Sequence, residues 1–100
     1  MDLKNKTAFI TGGASGLGLA TAQNFIAAGA NVMLYDLRAD ALEAAAASLG
    51  PAVAWHAGDV ADEVGVSEAI AIAKEKFGTI HVNVNAAGIG GAARTVGKDG

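Results

Sequence analysis

Apolar residues along this chain follow two alternating rhythms. Short aliphatic runs at 7–11, 31–36, 52–57 and 80–85 read as strands. Between them, at about 16–28, 39–49 and 63–77, apolar residues return at helical spacing. Gly29, Gly50 and Gly78 follow the three helical stretches, where a left-handed C′ residue is common, and Pro51 reinforces the second stop. The Ala-rich second stretch is a strong helix former rather than a linker. Strands alternating with helices of this length predict βαβ units, right-handed crossovers and a parallel sheet of order 3-2-1-4. In such open sheets a ligand sits beyond the carboxyl ends of the strands, at the switch between the first and fourth.

What stands at those carboxyl ends is therefore the most informative part of the sequence. After the first strand comes Thr11-Gly12-Gly13-Ala14-Ser15-Gly16-Leu17-Gly18, after the second Asp36, after the third Gly58-Asp59-Val60, and after the fourth Asn85-Ala86-Ala87-Gly88. A glycine-rich turn from strand to helix brings backbone N–H groups and a helix N-terminus to a phosphate. G-x-G-x-x-G fails in every register, because Ala14, Ser15 and Thr21 fall where glycines are needed. A P-loop fails because Leu19, not lysine, follows Gly18. The remaining pattern, T-G-x-x-x-G-x-G, strongly resembles the cofactor turn of the short-chain dehydrogenase/reductase family.

That resemblance implies an α/β chain of Rossmann type, the βαβαβαβ N-terminal portion of a doubly wound parallel sheet, binding NAD. The residues it places at the cofactor are Gly12, Ser15, Gly16, Leu17, Gly18, Asp36, Asp59, Val60, Asn85, Ala86, Ala87 and Gly88. Asp36 stands where an acid binds the adenosine ribose, and its charge would repel a 2′-phosphate. Arg38 pulls the other way, since a nearby arginine can receive that phosphate. The contact charge outweighs a mobile cation two residues on, which favours NAD over NADP. Asp59 and the N–H of Val60 match the family position at the adenine edge, and Ser15 and Leu17 the positions beside the pyrophosphate and nicotinamide ribose. Asn85-Ala86-Ala87-Gly88 resembles the family's N-N-A-G turn, with Ala86 in place of an asparagine whose amide braces the sheet. Asn83 is out of place in a middle strand, where a buried, unpartnered amide costs roughly 1–3 kcal/mol. His56 and His81 lack the spacing of metal ligands and read as strand-end or surface residues, so no metal site is expected. Trp55 alternates with Val53 and Ala57 on one strand face, and Lys74, Glu75 and Lys76 read as a solvated helix end.

Family enzymes use a serine and a tyrosine–lysine pair at Y-x-x-x-K spacing. Tyr35, the only tyrosine, is followed four residues on by Ala39. No catalytic residue is therefore assigned in this chain, which is expected to be the N-terminal cofactor part, residues 1–100, of a single domain continuing beyond it. The stretch Asn85 to Thr95, with Lys98 after it, is similar to the type-2 3-hydroxyacyl-CoA dehydrogenase subgroup. The substrate this implies is a small molecule, an acyl-CoA thioester or another secondary alcohol or ketone. Arg94 and Lys98 are either contacts for CoA phosphates or a solvated basic loop. Two other readings share these residues: an NADPH-dependent 3-ketoacyl thioester reductase and a non-catalytic nucleotide-sensing module.

Composition narrows the setting. One hundred residues make one small domain or part of a larger one, and the absence of cysteine excludes a disulfide scaffold. A net charge of −3 argues against a broad nucleic-acid surface. No apolar run approaches the roughly 18 residues of a membrane span. The start, Met1 to Lys6, leaves no room for a targeting segment before the first strand, so a cytoplasmic location is expected. The family resemblance further implies a homo-oligomer, a dimer or tetramer.

Overall fold

The computed structural model describes residues 3–86. Seven elements alternate: β1 (Thr7–Thr11), α1 (Gly16–Ala27), β2 (Asn31–Asp36), α2 (Ala39–Leu49), β3 (Val53–Ala57), α3 (Glu63–Phe77) and β4 (Val82–Asn85). The strands form one parallel sheet in the order β3-β2-β1-β4. This is the doubly wound Rossmann-type arrangement that the sequence pattern implies. Ala87, Gly88, Arg94 and Lys98, assigned from the sequence, lie outside the described residues.

The period-2 alternation of strand side chains divides the core into two layers. Ala8, Ile10, Val32, Leu34 and Val53 face Ala22 of α1 and Leu42 and Ala45 of α2. Phe9, Met33, Tyr35 and Ala54 point to the other side, against Ala69 and Ala73 of α3. Val32 to Tyr35 are all fully buried, so β2 is covered on both faces. Burying a side chain such as Leu34 or Ile10 contributes about 1.5–3 kcal/mol, which makes these inner strands the anchor of the sheet. Gly65, Ala69 and Ala73 are buried at four-residue spacing, a small-residue stripe on the α3 face that meets the sheet.

The boundaries differ from expectation where side chains or turns take over a backbone role. The fourth strand begins at Val82 rather than residue 80. The N–H of Thr7 donates to Nδ1 of His81 (3.1 Å), so an imidazole stands where a strand carbonyl would continue the ladder. The third strand begins at Val53 rather than 52, because the Val53 N–H turns back to the Gly50 carbonyl (3.3 Å). The first helix ends at Ala27, with Ala28 as its cap. Gly50 and Gly78 do have positive φ (98° and 100°), but their ψ values of −165° and −101° lie outside the left-handed helical well expected of a C′ glycine. They close their helices through N–H bonds to Ala46 and Lys74 instead. Asn83 is exposed on β4, the edge strand among the described residues, on the face that carries Phe9.

Candidate functional site

The parallel register brings Thr11, Asp36, Ala57 and Asn85 to one edge of the sheet, and each chain segment leaving that edge carries residues singled out in the sequence. The turn after β1 is held by β2. Gly12, at φ 71°, and Gly13 both donate their N–H to the Tyr35 carbonyl, at 2.7 and 3.2 Å. Ser15 is the N-cap of α1: its hydroxyl donates to the Gly12 carbonyl (2.7 Å) and accepts from the Gly18 N–H (3.0 Å). A serine at that position satisfies one of the orphan donors of the first helical turn. Gly18 packs so tightly on the turn that a β-carbon there would collide with the Gly12 carbonyl oxygen.

Gly16 differs from its neighbours. Its backbone needs no positive φ, and a β-carbon there would meet nothing within 4 Å. The N–H groups of Gly16 and Leu17 have no acceptor among the described residues, and both residues are exposed. Two free donors at a helix N-terminus, beside open space, are the components of an anion seat.

Asp36 closes the turn from the β2 side. Its Oδ2 accepts from the Ala14 N–H (3.1 Å) and its Oδ1 from the Arg38 N–H (3.2 Å). An ionised carboxylate offers about four lone-pair sites, so roughly two remain for a ligand. Arg38 lies over the same turn, with Nη2 donating to the Ala14 carbonyl (3.3 Å) and Nε 3.9 Å from Asp36 Oδ1. The arginine side chain is 60% exposed, so this pair contributes little to stability.

On the next segment Asp59 and Val60 are exposed. The Asp59 carboxylate accepts from the Ala61 N–H (2.9 Å), and its carbonyl accepts from the Asp62 N–H and from the Tyr35 hydroxyl, each at 2.9 Å. The Val60 N–H has no acceptor among the described residues. At β4, Asn85 Oδ1 accepts from the Thr11 hydroxyl (3.0 Å), and the N–H of buried Ala86 donates to the Thr11 carbonyl (2.9 Å). The β1–β4 brace thus runs through Thr11 and Asn85, with a backbone bond from Ala86.

Two contributors escaped the sequence reading. Thr11 entered it only as a motif letter, and Tyr35 only as a tyrosine without its lysine. The Tyr35 ring is fully buried between β2 and α3, near Phe9 (ring centroids 6.0 Å) and stacked on His56 (6.2 Å). His56 in turn lies 3.2 Å from Glu68. Burial first, then the carboxylates of Asp62, Asp59 and Glu68, push the Tyr35 phenol above its ordinary value of 10.0. The folded chain therefore holds that proton more tightly than the unfolded chain. The resulting stabilisation is complete below pH 10 and lost as the pH rises through the raised folded value. Because Tyr35 is the only tyrosine, tyrosinate absorbance follows it alone. Its alkaline midpoint is expected to be higher in native than in denaturing buffer, and coincident midpoints would contradict the buried placement.

Among the described residues no group of three or more histidine, cysteine, aspartate or glutamate side chains converges as a metal site. No helix there is long and apolar enough to cross a membrane.

A parallel sheet of this order, with a glycine-rich turn at its switch point, defines an α/β protein of Rossmann type. The family model for short chain dehydrogenase matches residues 6–98, and the chain belongs to that family. It is 47% identical over 93 residues to a 3-hydroxyacyl-CoA dehydrogenase type-2 of Homo sapiens, covering 93% of this chain and 36% of the relative. It is 38% identical over 89 residues to a sorbitol dehydrogenase of Cereibacter sphaeroides, covering 89% of this chain and 35% of that protein. Among solved structures, a 3-ketoacyl-(acyl-carrier-protein) reductase from Brucella melitensis, complexed with NADH, superposes with a TM-score of 0.78 at 34% identity. That superposition covers 81% of this chain and 34% of the reductase. The chain thus spans about a third of the length of the relatives it matches.

Proposed function

We propose that this chain supplies the dinucleotide-binding part of an NAD-dependent oxidoreductase that moves a hydride between a secondary alcohol and NAD. The substrate class is a short 3-hydroxyacyl-CoA thioester. The observation that carries the reading is the pairing of unclaimed groups on one sheet edge: the free N–H donors of Gly16 and Leu17, and the spare lone pairs of Asp36. On this reading Gly16 and Leu17 hold the pyrophosphate, Asp36 the adenosine ribose, and Asp59 with the Val60 N–H the adenine edge. Ser15, Gly12 and Gly18 keep the turn in shape, while Asn85, Ala86, Ala87 and Gly88 line the nicotinamide side. A dinucleotide held there would supply the acceptor for the hydride of the alcohol carbon. The hydroxyl proton goes to a base that these 100 residues do not contain, since they include no Y-x-x-x-K. The substrate class rests on the identity to 3-hydroxyacyl-CoA dehydrogenases type-2.

Cofactor choice rests on Asp36. Its carboxylate, already turned toward the site, would face a 2′-phosphate as a like charge. Asp36→Asn keeps an oxygen for the Ala14 N–H but removes the charge. NAD affinity is expected to fall about tenfold, near 1.4 kcal/mol for a weakened charge-assisted bond, and the preference over NADP to shrink. Asp36→Ala is expected to cost more, because the bonds to Ala14 and Arg38 go as well. Calorimetric titration of both nucleotides decides the matter: tighter NADP binding by the unaltered chain would overturn the assignment of NAD. A reductase working on 3-ketoacyl thioesters is the second reading, favoured by the likeness to the Brucella reductase. Comparing turnover of hydroxyacyl and ketoacyl thioesters at fixed pH, in a protein carrying this chain with a Y-x-x-x-K, separates the two.

A further inference from the structure

We propose that Tyr35 is a positioning residue that sets the adenine side of the site against the phosphate side. The proposal rests on the dinucleotide reading above. Tyr35 works from both ends. Its carbonyl gathers the N–H groups of Gly12 and Gly13, and its hydroxyl, reaching across β3, donates to the Asp59 carbonyl at 2.9 Å. Asp59 and Val60 are exposed, so this part-buried bond, with the Gly58 N–H bond to the Asp36 carbonyl (2.8 Å), fixes where the Val60 N–H stands relative to the glycine turn.

The surrounding sequence is shaped for that hydroxyl. A β-carbon at Gly65 of α3 would lie 2.5 Å from it, and one at Gly58 would collide with it. The two glycines are not equivalent. At Gly65 the next atoms are Asp62 Oδ2 at 3.3 Å and Cγ at 3.5 Å, so only the hydroxyl and a solvent-exposed carboxylate stand in the way. At Gly58 the ring itself intrudes, with Cζ at 2.8 Å and Cε1 at 3.0 Å. Gly65, inside a helix that alanine would favour, is therefore there to make room for one oxygen atom.

The test combines ligand binding with a mutant cycle. The probes are AMP, which carries the adenine half, and nicotinamide mononucleotide, which carries the other. Tyr35→Phe is expected to weaken AMP about fivefold, the range of one lost hydrogen bond, and to leave nicotinamide mononucleotide unchanged. A merely structural role would lower thermal stability without moving the ratio of the two affinities. Gly65→Ala is expected to lower the melting temperature of the unaltered chain but raise it in the Tyr35→Phe background, a reversal of sign that additive effects cannot produce. Gly58→Ala is expected to destabilise both. If the unaltered chain binds AMP and Tyr35→Phe binds it equally well, or if Gly65→Ala acts alike in both backgrounds, the positioning role is overturned while the dinucleotide reading stands. If the unaltered chain binds neither AMP nor NAD, the dinucleotide reading falls and takes the proposal with it.

Discussion

Gly16→Val is expected to abolish dinucleotide binding while leaving the chain folded. Gly16 is the residue of the turn whose side-chain space is open and whose backbone lies outside the positive-φ region. The sequence alone leaves two reasons for failure, a blocked ligand or a disallowed backbone, and the structure removes the second. A valine there stands beside the free N–H groups of Gly16 and Leu17 and denies them a phosphate. Losing two hydrogen bonds to a charged group costs about 3–6 kcal/mol, more than a hundredfold in affinity. Gly18→Val should give the same loss by a different route. Its β-carbon meets the Gly12 carbonyl, a backbone atom that cannot swing aside, so the turn and the α1 packing fail together. Circular dichroism with NAD titration separates the two variants: folded and non-binding for Gly16→Val, destabilised for Gly18→Val. Unchanged NAD affinity in a folded Gly16→Val chain would sink the phosphate assignment.

The second large effect is an absence. The 100 residues as given are expected to form no NADH from a short 3-hydroxyacyl-CoA and NAD. Removing a hydride from an alcohol requires a group that takes the hydroxyl proton, and positioned general bases supply factors of about 10²–10⁴ on that step alone. The only tyrosine is committed elsewhere: Tyr35 is buried under α3, donates to the Asp59 carbonyl, and has Ala39 where the family spacing requires lysine. Asp36, which braces the turn through Ala14 and Arg38, stands at the proposed adenosine end, away from the transferred hydride. Spectrophotometric detection of NADH at high chain concentration checks this. Measurable turnover would mean that a residue of this chain carries acid–base chemistry that its position conceals.

Much of the site was legible because its parts are local. A Gly-rich turn between an apolar run and an amphipathic stretch has few physical uses, and an acid at the end of the next strand narrows them further. Ser15 shows the limit of such reading. The family position placed it beside the phosphate. Its hydroxyl also donates to the Gly12 carbonyl and accepts from the Gly18 N–H, a capping role that a serine just before a helix already announces. Asp36 was read as a ligand contact alone, but it is also a brace for the turn it faces.

Element type and order, the parallel sheet and the convergence of four segments on one edge follow from the sequence, because hydrophobic period and chain-crossing handedness are set by local geometry and chirality. What only the tertiary structure decided concerns pairs of residues far apart in the chain. The Tyr35 hydroxyl reaching Asp59, Gly65 standing where that oxygen needs room, Thr11 bonding Asn85, and the His81 ring replacing a strand carbonyl all depend on strand register and helix height. Those quantities emerge from packing the whole core at once, and no window of sequence encodes them, because a side chain's partner across the sheet is fixed only when every strand between them has found its place.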